Sequence, residues 1–215
     1  MMRGKMTKIK KKMILGTVII VLLIGCGIYI YAQCVGPVYQ SSPWDTYDVR
    51  INNNCYSYAF NTMKSTFPHS PGYGSGFDEC FPFDATDCCL KDEGEMVSRV
   101  LADMKKKLTL NISLSSASGS CLTGGTKVYM AIKPYDPNNP SIPGDVHFYR
   151  QDGPGGEWSH KRGSSFAINY YDYDDWRDIT DPEDAAASLG YTVGGTYFCY
   201  CAGTTEQGAT GAPIQ

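Results

Sequence analysis

The chain has 215 residues, 42% hydrophobic and 19% charged, with 23 glycines, 12 prolines and 16 tyrosines. That is one medium domain built from short strands and turns rather than a helical bundle. The formal net charge is −3, but Arg3, Lys5, Lys8, Lys10, Lys11 and Lys12 hold six of the nineteen basic residues, so the rest of the chain carries about −9; that acidic body excludes nucleic acid as a partner, because phosphate binding needs a basic surface.

Residues 1–12 form a basic cytoplasmic segment. Residues 13–32 (MILGTVIIVLLIGCGIYIYA) carry no charge, and twenty residues at about 1.5 Å each cross a hydrocarbon core of roughly 30 Å. This predicts a single-pass transmembrane signal anchor, with the N-terminus cytoplasmic and the domain outside a cell or virion membrane by the positive-inside rule. Leu23-Ile24-Gly25-Cys26 resembles a lipobox, which makes Cys26 an alternative lipidation site, and cleavage after Ala32 is a third variant.

Export accounts for nine cysteines, since disulfides persist outside the cytosol. Besides Cys26 and Cys55 there are Cys34, Cys80, Cys88, Cys89, Cys121, Cys199 and Cys201, an odd set of seven that holds at most three intramolecular bridges. Cys88 with Cys89, and Cys199 with Cys201, are expected to bridge to other segments rather than within their own pairs. No Cys-x-x-Cys pair occurs and no metal or cofactor is called for.

Residues 33–51, rich in Pro, Ser and Tyr, are expected as an irregular stalk, either spacer or packing arm. Asn52 to Asn54 offer capping side chains for a short helix over 55–64, with Tyr58, Ala59 and Met63 inward. The stretch 67–82 is a glycine- and proline-rich loop in which His69 is expected to be solvated. Met96, Val97, Val100, Leu101, Met104 and Leu108 repeat at helical spacing over 93–108 and predict a scaffold helix. Asn111-Ile112-Ser113 satisfies the glycosylation triplet, relevant only in a eukaryotic secretory pathway.

Strands are expected over 126–133 and 145–150, joined by a proline-rich connection. A turn over 151–156 then places His147 opposite His160 and Tyr149 opposite Trp158, unless the glycine-rich loop lets the register slip. Both imidazoles would share the face on which the Cys55 helix packs. Phe148, Tyr149 and Trp158 are expected in packing roles. The acidic, aromatic run 170–181 lacks EF-hand spacing and is expected as a solvated loop. A short helix over 182–189 and a closing strand over 191–201 follow, and residues 203–215 are expected to be disordered.

A cysteine opening a helix, a strand reading His-Phe-Tyr, a glycine-rich turn and a second histidine before Lys-Arg-Gly resemble the NlpC-type papain-like peptidases and the related cysteine, histidine-dependent amidohydrolases and peptidases. The runs NNCYSYAFN, PGYGSG, DVHFYRQDG and WSHKRG are also similar to an uncharacterised group of bacterial and viral proteins. The peptidases usually carry Asp-Cys-Ser-Gly where this chain has Asn-Asn-Cys-Tyr-Ser-Tyr. The resemblance implies Cys55 as nucleophile, His147 as general base and His160 as the group orienting it. The Cys55 N–H is a candidate oxyanion donor, with Asn53 or Asn54 as support.

The expected architecture is α+β, a small antiparallel papain-like sheet packed against helices over 52–202, behind the N-terminal span. The expected function is a membrane-anchored extracytoplasmic cysteine amidase or peptidase working through a thioester, on peptidoglycan or other peptide amides. The alternative is a disulfide-stabilised surface or virion structural protein in which Cys55 is bridged and the histidines pack. A free Cys55 thiol within reach of His147 separates the two.

Overall fold

Alternation along three central strands organises the fold. In the computed structural model, the described residues are 36–66, 68–79, 93–108, 112–121, 125–136, 138–139, 144–153, 155–191 and 195–201. They form helices α1 (Ser42–Asp45), α2 (Tyr47–Ile51), α3 (Cys55–Ala59), α4 (Glu93–Leu108) and α5 (Pro182–Ser188). The strands are β1 (Ile112–Ser115), β2 (Thr126–Lys133), β3 (Asp145–Gln151), β4 (Trp158–Lys161), β5 (Ala167–Ile168), β6 (Tyr170–Asp172), β7 (Asp175–Asp178) and β8 (Thr196–Tyr200). Six make one antiparallel sheet in the order β1-β8-β2-β3-β4-β5, and β6 and β7 pair separately. The architecture is α+β.

Both faces of the sheet are covered, so β2 and β3 are buried almost throughout instead of alternating with solvent. One face sends Val128, Met130, Val146, Phe148, Phe198 and Tyr200 against α3 and α4. Met96, Val100 and Met104 of α4, spaced four apart, supply its helical stripe. The other face sends Tyr129, Ala131, Tyr149, Trp158 and Tyr197 against α5 and Tyr171. A disulfide joins Cys121 to Cys199 across 78 residues, and Cys201 is also disulfide-bonded, so neither Cys199 nor Cys201 bridges within its own pair.

Several expectations need correction. Helix α3 stops at Ala59, because Asn61 turns left-handed at φ 52° and the Thr62 N–H folds back to the Ser57 carbonyl. The part of the expected stalk that is described is a packed arm. Trp44 is buried edge-on against Tyr58, and the Ala167 N–H donates to Asp45. The acidic run contains the β6–β7 hairpin, in which Arg162 pairs with Asp172 and Arg177 lies over the Tyr171 ring. His69 is exposed, as expected, and it stacks on Tyr73 and pairs with Glu79. Among the described residues no helix is long and apolar enough to cross a membrane. The expected span over 13–32, Cys26 and the tail over 203–215 lie outside the described residues.

Candidate functional site: a buried thiol beside a histidine pair

The thiol is placed by its cap. Asn54 precedes α3 in extended conformation, and its side-chain oxygen accepts from the Tyr56 and Ser57 N–H groups while Ser57 Oγ accepts from the Asn54 N–H. This reciprocal capping box fixes the first turn, where Cys55 sits. Asn53 is a strut: its amide donates to the Val49 and Lys64 carbonyls and its oxygen accepts from the Lys64 N–H. The Asn53 side chain therefore has no spare donor for an oxyanion. The Cys55 N–H and the Asn54 Nδ2 make no hydrogen bond among the described residues and remain available.

Cys55 is a free thiol and is buried. The β3–β4 ladder ends at the pair Tyr149–His160, and beyond it the N-terminus of α3 takes the place that β4 has left beside β3. There Cys55 Sγ donates to the Val146 carbonyl at 3.7 Å, and the backbone N–H groups of Phe148 and Tyr56 favour its ionised form. The thiol thus lies level with the strand backbone, between the two faces.

The imidazoles come together, by a different register from the expected one. The Asp152 N–H bonds to the Glu157 carbonyl, so the turn is centred one residue later; Tyr149 faces His160 and Gln151 faces Trp158. His147 and His160 become diagonal neighbours on one face, with His147 Nε2 and His160 Nδ1 2.7 Å apart. That face is the one under α5, opposite the one packed by α3, which corrects the expectation of a shared face. Tyr149 stacks on His160 and Tyr191 stacks on His147, at ring separations of 4.9 and 5.5 Å.

The proton positions follow from the partners. His160 Nε2 lies 3.2 Å from the Tyr170 carbonyl, which can only accept, so Nε2 carries a proton. Burial holds His160 down to about 4 and His147 well below its ordinary value, so both rings are neutral at pH 7. Neutral His160 then accepts at Nδ1, His147 donates from Nε2, and the lone pair of the chain falls on His147 Nδ1. No hydrogen bond to that nitrogen forms among the described residues.

The thiol is also neutral. Burial and the Asp145 carboxylate push Cys55 up to about 12, outweighing the two N–H groups and the Lys161 ammonium. A five-residue helix supplies little counter-effect, so the resting site is a neutral thiol and neutral imidazoles. Tyr191 donates to Asp145 Oδ2 at 2.5 Å. Asp145, Tyr191 and Lys161 were not singled out from the sequence. Only the position of Asp145 at the head of the histidine strand, and of Lys161 next to His160, marked them. Among the described residues no group of His, Cys, Asp and Glu side chains could hold a metal ion.

No family model and no solved structure matches the chain. Insoluble matrix shell protein 1 of Ruditapes philippinarum is 30% identical over 149 residues, which are 68% of this chain and 79% of that protein. At this identity and coverage, the chain belongs to the family of insoluble matrix shell protein 1.

Proposed function

We propose that the chain is a cysteine hydrolase of papain-like plan, cleaving an amide or peptide bond through a thioester on Cys55, and that residues 13–32 hold it at a membrane with the domain outside. The observation that carries this reading is the tautomer chain from the Tyr170 carbonyl through His160 to His147, which leaves a base lone pair one residue from the carbonyl that holds the thiol.

The reaction requires rotation about the Cys55 Cα–Cβ bond to carry the S–H from the Val146 carbonyl to His147 Nδ1. The sulfur attacks the substrate carbonyl carbon as its proton passes to Nδ1, and the oxyanion is met by the Cys55 N–H and Asn54 Nδ2. His160 stabilises the resulting imidazolium by its bond to His147 Nε2. Collapse expels the amine, which takes the proton from Nδ1 and leaves a thioester. Water attacks the thioester, giving its proton to Nδ1; the acid departs and Sγ recovers the proton.

The test is alkylation of Cys55 in the full-length chain without reductant, at graded pH, mapped by mass spectrometry, together with trapping of an acyl-Cys55 adduct from activated amides. His147→Ala is expected to slow both by a factor of about 100 or more. Labelling indifferent to His147→Ala, with no adduct, overturns the proposal. The relative's printed name favours a second reading, a non-catalytic component of an insoluble matrix, in which the thiol and both imidazoles are only packed. That reading expects the indifferent outcome.

A further inference from the structure

Strand β4 carries a second buried group beside His160. Lys161 points to the opposite face from His160, is fully buried, and places its ammonium among three backbone carbonyls: Arg50 at 2.8 Å, Asn53 at 2.5 Å and Gly163 at 2.6 Å. An ammonium has three donors, and all three are used. Among the described residues no carboxylate forms an ion pair with it. Burying a cation without a counter-ion is expensive, and a neutral side chain would bridge carbonyls at lower desolvation cost. The three carbonyls come from the last turn of α2, the residue before the α3 cap and the turn after β4. Lys161 therefore ties the start of the thiol helix to the strand that orients the histidine pair.

We propose that Lys161 is the positioning cation of the Cys55 site, fixing the first turn of α3 and stabilising negative charge that develops at the sulfur and the adjacent oxyanion. This rests on the reading of Cys55 as a nucleophile. Strand β4 would then serve the site from both sides, with His160 setting the tautomer of the base and Lys161 setting the backbone and field at the thiol. The charged groups that act on Cys55 are Asp145, which opposes the thiolate, and Lys161, which favours it; the Tyr149 and Tyr191 hydroxyls lie within the same field. Burial lowers Lys161 only to about 8, so it is protonated at pH 7. Lys161 is thus the cation that works for the thiolate against Asp145, a smaller effect than the carboxylate's.

The experiment is the pH profile of Cys55 alkylation in the full-length chain for wild type, Lys161→Met, Lys161→Arg and His147→Ala. Lys161→Met is expected to slow Cys55 alkylation about tenfold or more at every pH below the thiol's midpoint, while Lys161→Arg keeps the rate within about threefold. If Lys161→Met leaves the profile in place while His147→Ala still slows labelling, Lys161 is only a backbone tie and the inference fails with the nucleophile reading intact. If His147→Ala changes nothing in wild type, the nucleophile reading itself fails. Should Lys161→Met not fold, the wild-type chain decides. The Lys161 ammonium is titrated by NMR after Cys55 is alkylated with iodoacetamide, which leaves a neutral group, or iodoacetate, which leaves an anion. A higher Lys161 midpoint beside the anion supports the proposal, and equal midpoints overturn it.

Discussion

On the α3 and α4 face of the sheet, the buried charges Asp103 and Arg150 each engage three groups; under α5, the histidine pair has capacity to spare. Asp103, fully buried on α4, accepts from the Tyr56 hydroxyl, the Gly72 N–H and the Ser75 hydroxyl, and so pins α3 and the 70–76 turn to the long helix. Arg150 donates to Asp152, to the Tyr58 carbonyl and to the Tyr58 hydroxyl, which shares a further hydrogen bond with Ser159. Across the sheet, the Tyr149 hydroxyl is buried without a partner and His147 Nδ1 keeps its lone pair. Saturated groups hold a fold in one arrangement. A buried base with a free lone pair adds little to stability, and the proposed function uses that face for its chemistry.

Asp103→Ala is expected to have the largest effect, on the α3 and α4 side. It leaves the Gly72 N–H and the Tyr56 hydroxyl buried and unpaired, at a cost of about 3–4 kcal/mol, measurable as a lower urea midpoint at unchanged slope. Cys55 alkylation per folded molecule should be unaffected, and a large change would mean that the two faces are not separable. The histidine side responds to acid instead. A ring at about 4 in the folded chain and near 6.5 when unfolded makes the unfolded state bind more protons as pH falls through 6.5. Stability is therefore full above about 6.5 and falls progressively toward pH 4, by about 3 kcal/mol from His160 alone, with His147 acting in the same direction. Thermal melts at pH 7.5 and pH 5 read this loss, and His160→Gln should flatten it. A melt equally acid-sensitive in that variant would assign the effect to other groups.

How legible this division was in the sequence depended on whether side chains or backbone did the work. Helix α4 was legible because Met96, Val100 and Met104 repeat on one stripe. Strands β2 and β3 were legible from their β-branched and aromatic runs. The side of β3 that receives α3 was not, because Val146, His147, Phe148 and Tyr149 are all buried and such a run does not say which residues face which layer. The register missed by one residue at the turn because Gly153 and Gly155, both at positive φ, permit a loop that no side-chain pattern fixes. Strand β1 and the β6–β7 hairpin were missed because exposed and charged positions outnumber buried ones there. Lys161 was invisible as a site residue because all its acceptors are backbone carbonyls, which any sequence would supply.

The smallest effect sharpens the comparison most, because it separates a ring from its hydroxyl. Tyr191 lies over His147 with its ring and ties itself to Asp145 with its hydroxyl. Tyr191→Phe keeps the stacking and removes the donor, so the tautomer chain to His147 should survive. The Asp145 carboxylate keeps the Val146 N–H as a donor and loses the stronger of its two partners, which costs about 1–2 kcal/mol for a charge-assisted bond. Deprived of that donor, Asp145 rises further above its usual carboxylate range, because the tyrosine hydroxyl had favoured its charged form. More of it is then neutral as the pH falls, and its opposition to a Cys55 thiolate weakens in that direction. The effect of Tyr191→Phe on Cys55 alkylation should thus be smallest at alkaline pH and become a modest rise toward acid pH. A large rise at every pH would instead mean that the hydroxyl latches the ring over the thiol, and that access to the buried pair, rather than its charge balance, is what Tyr191 controls.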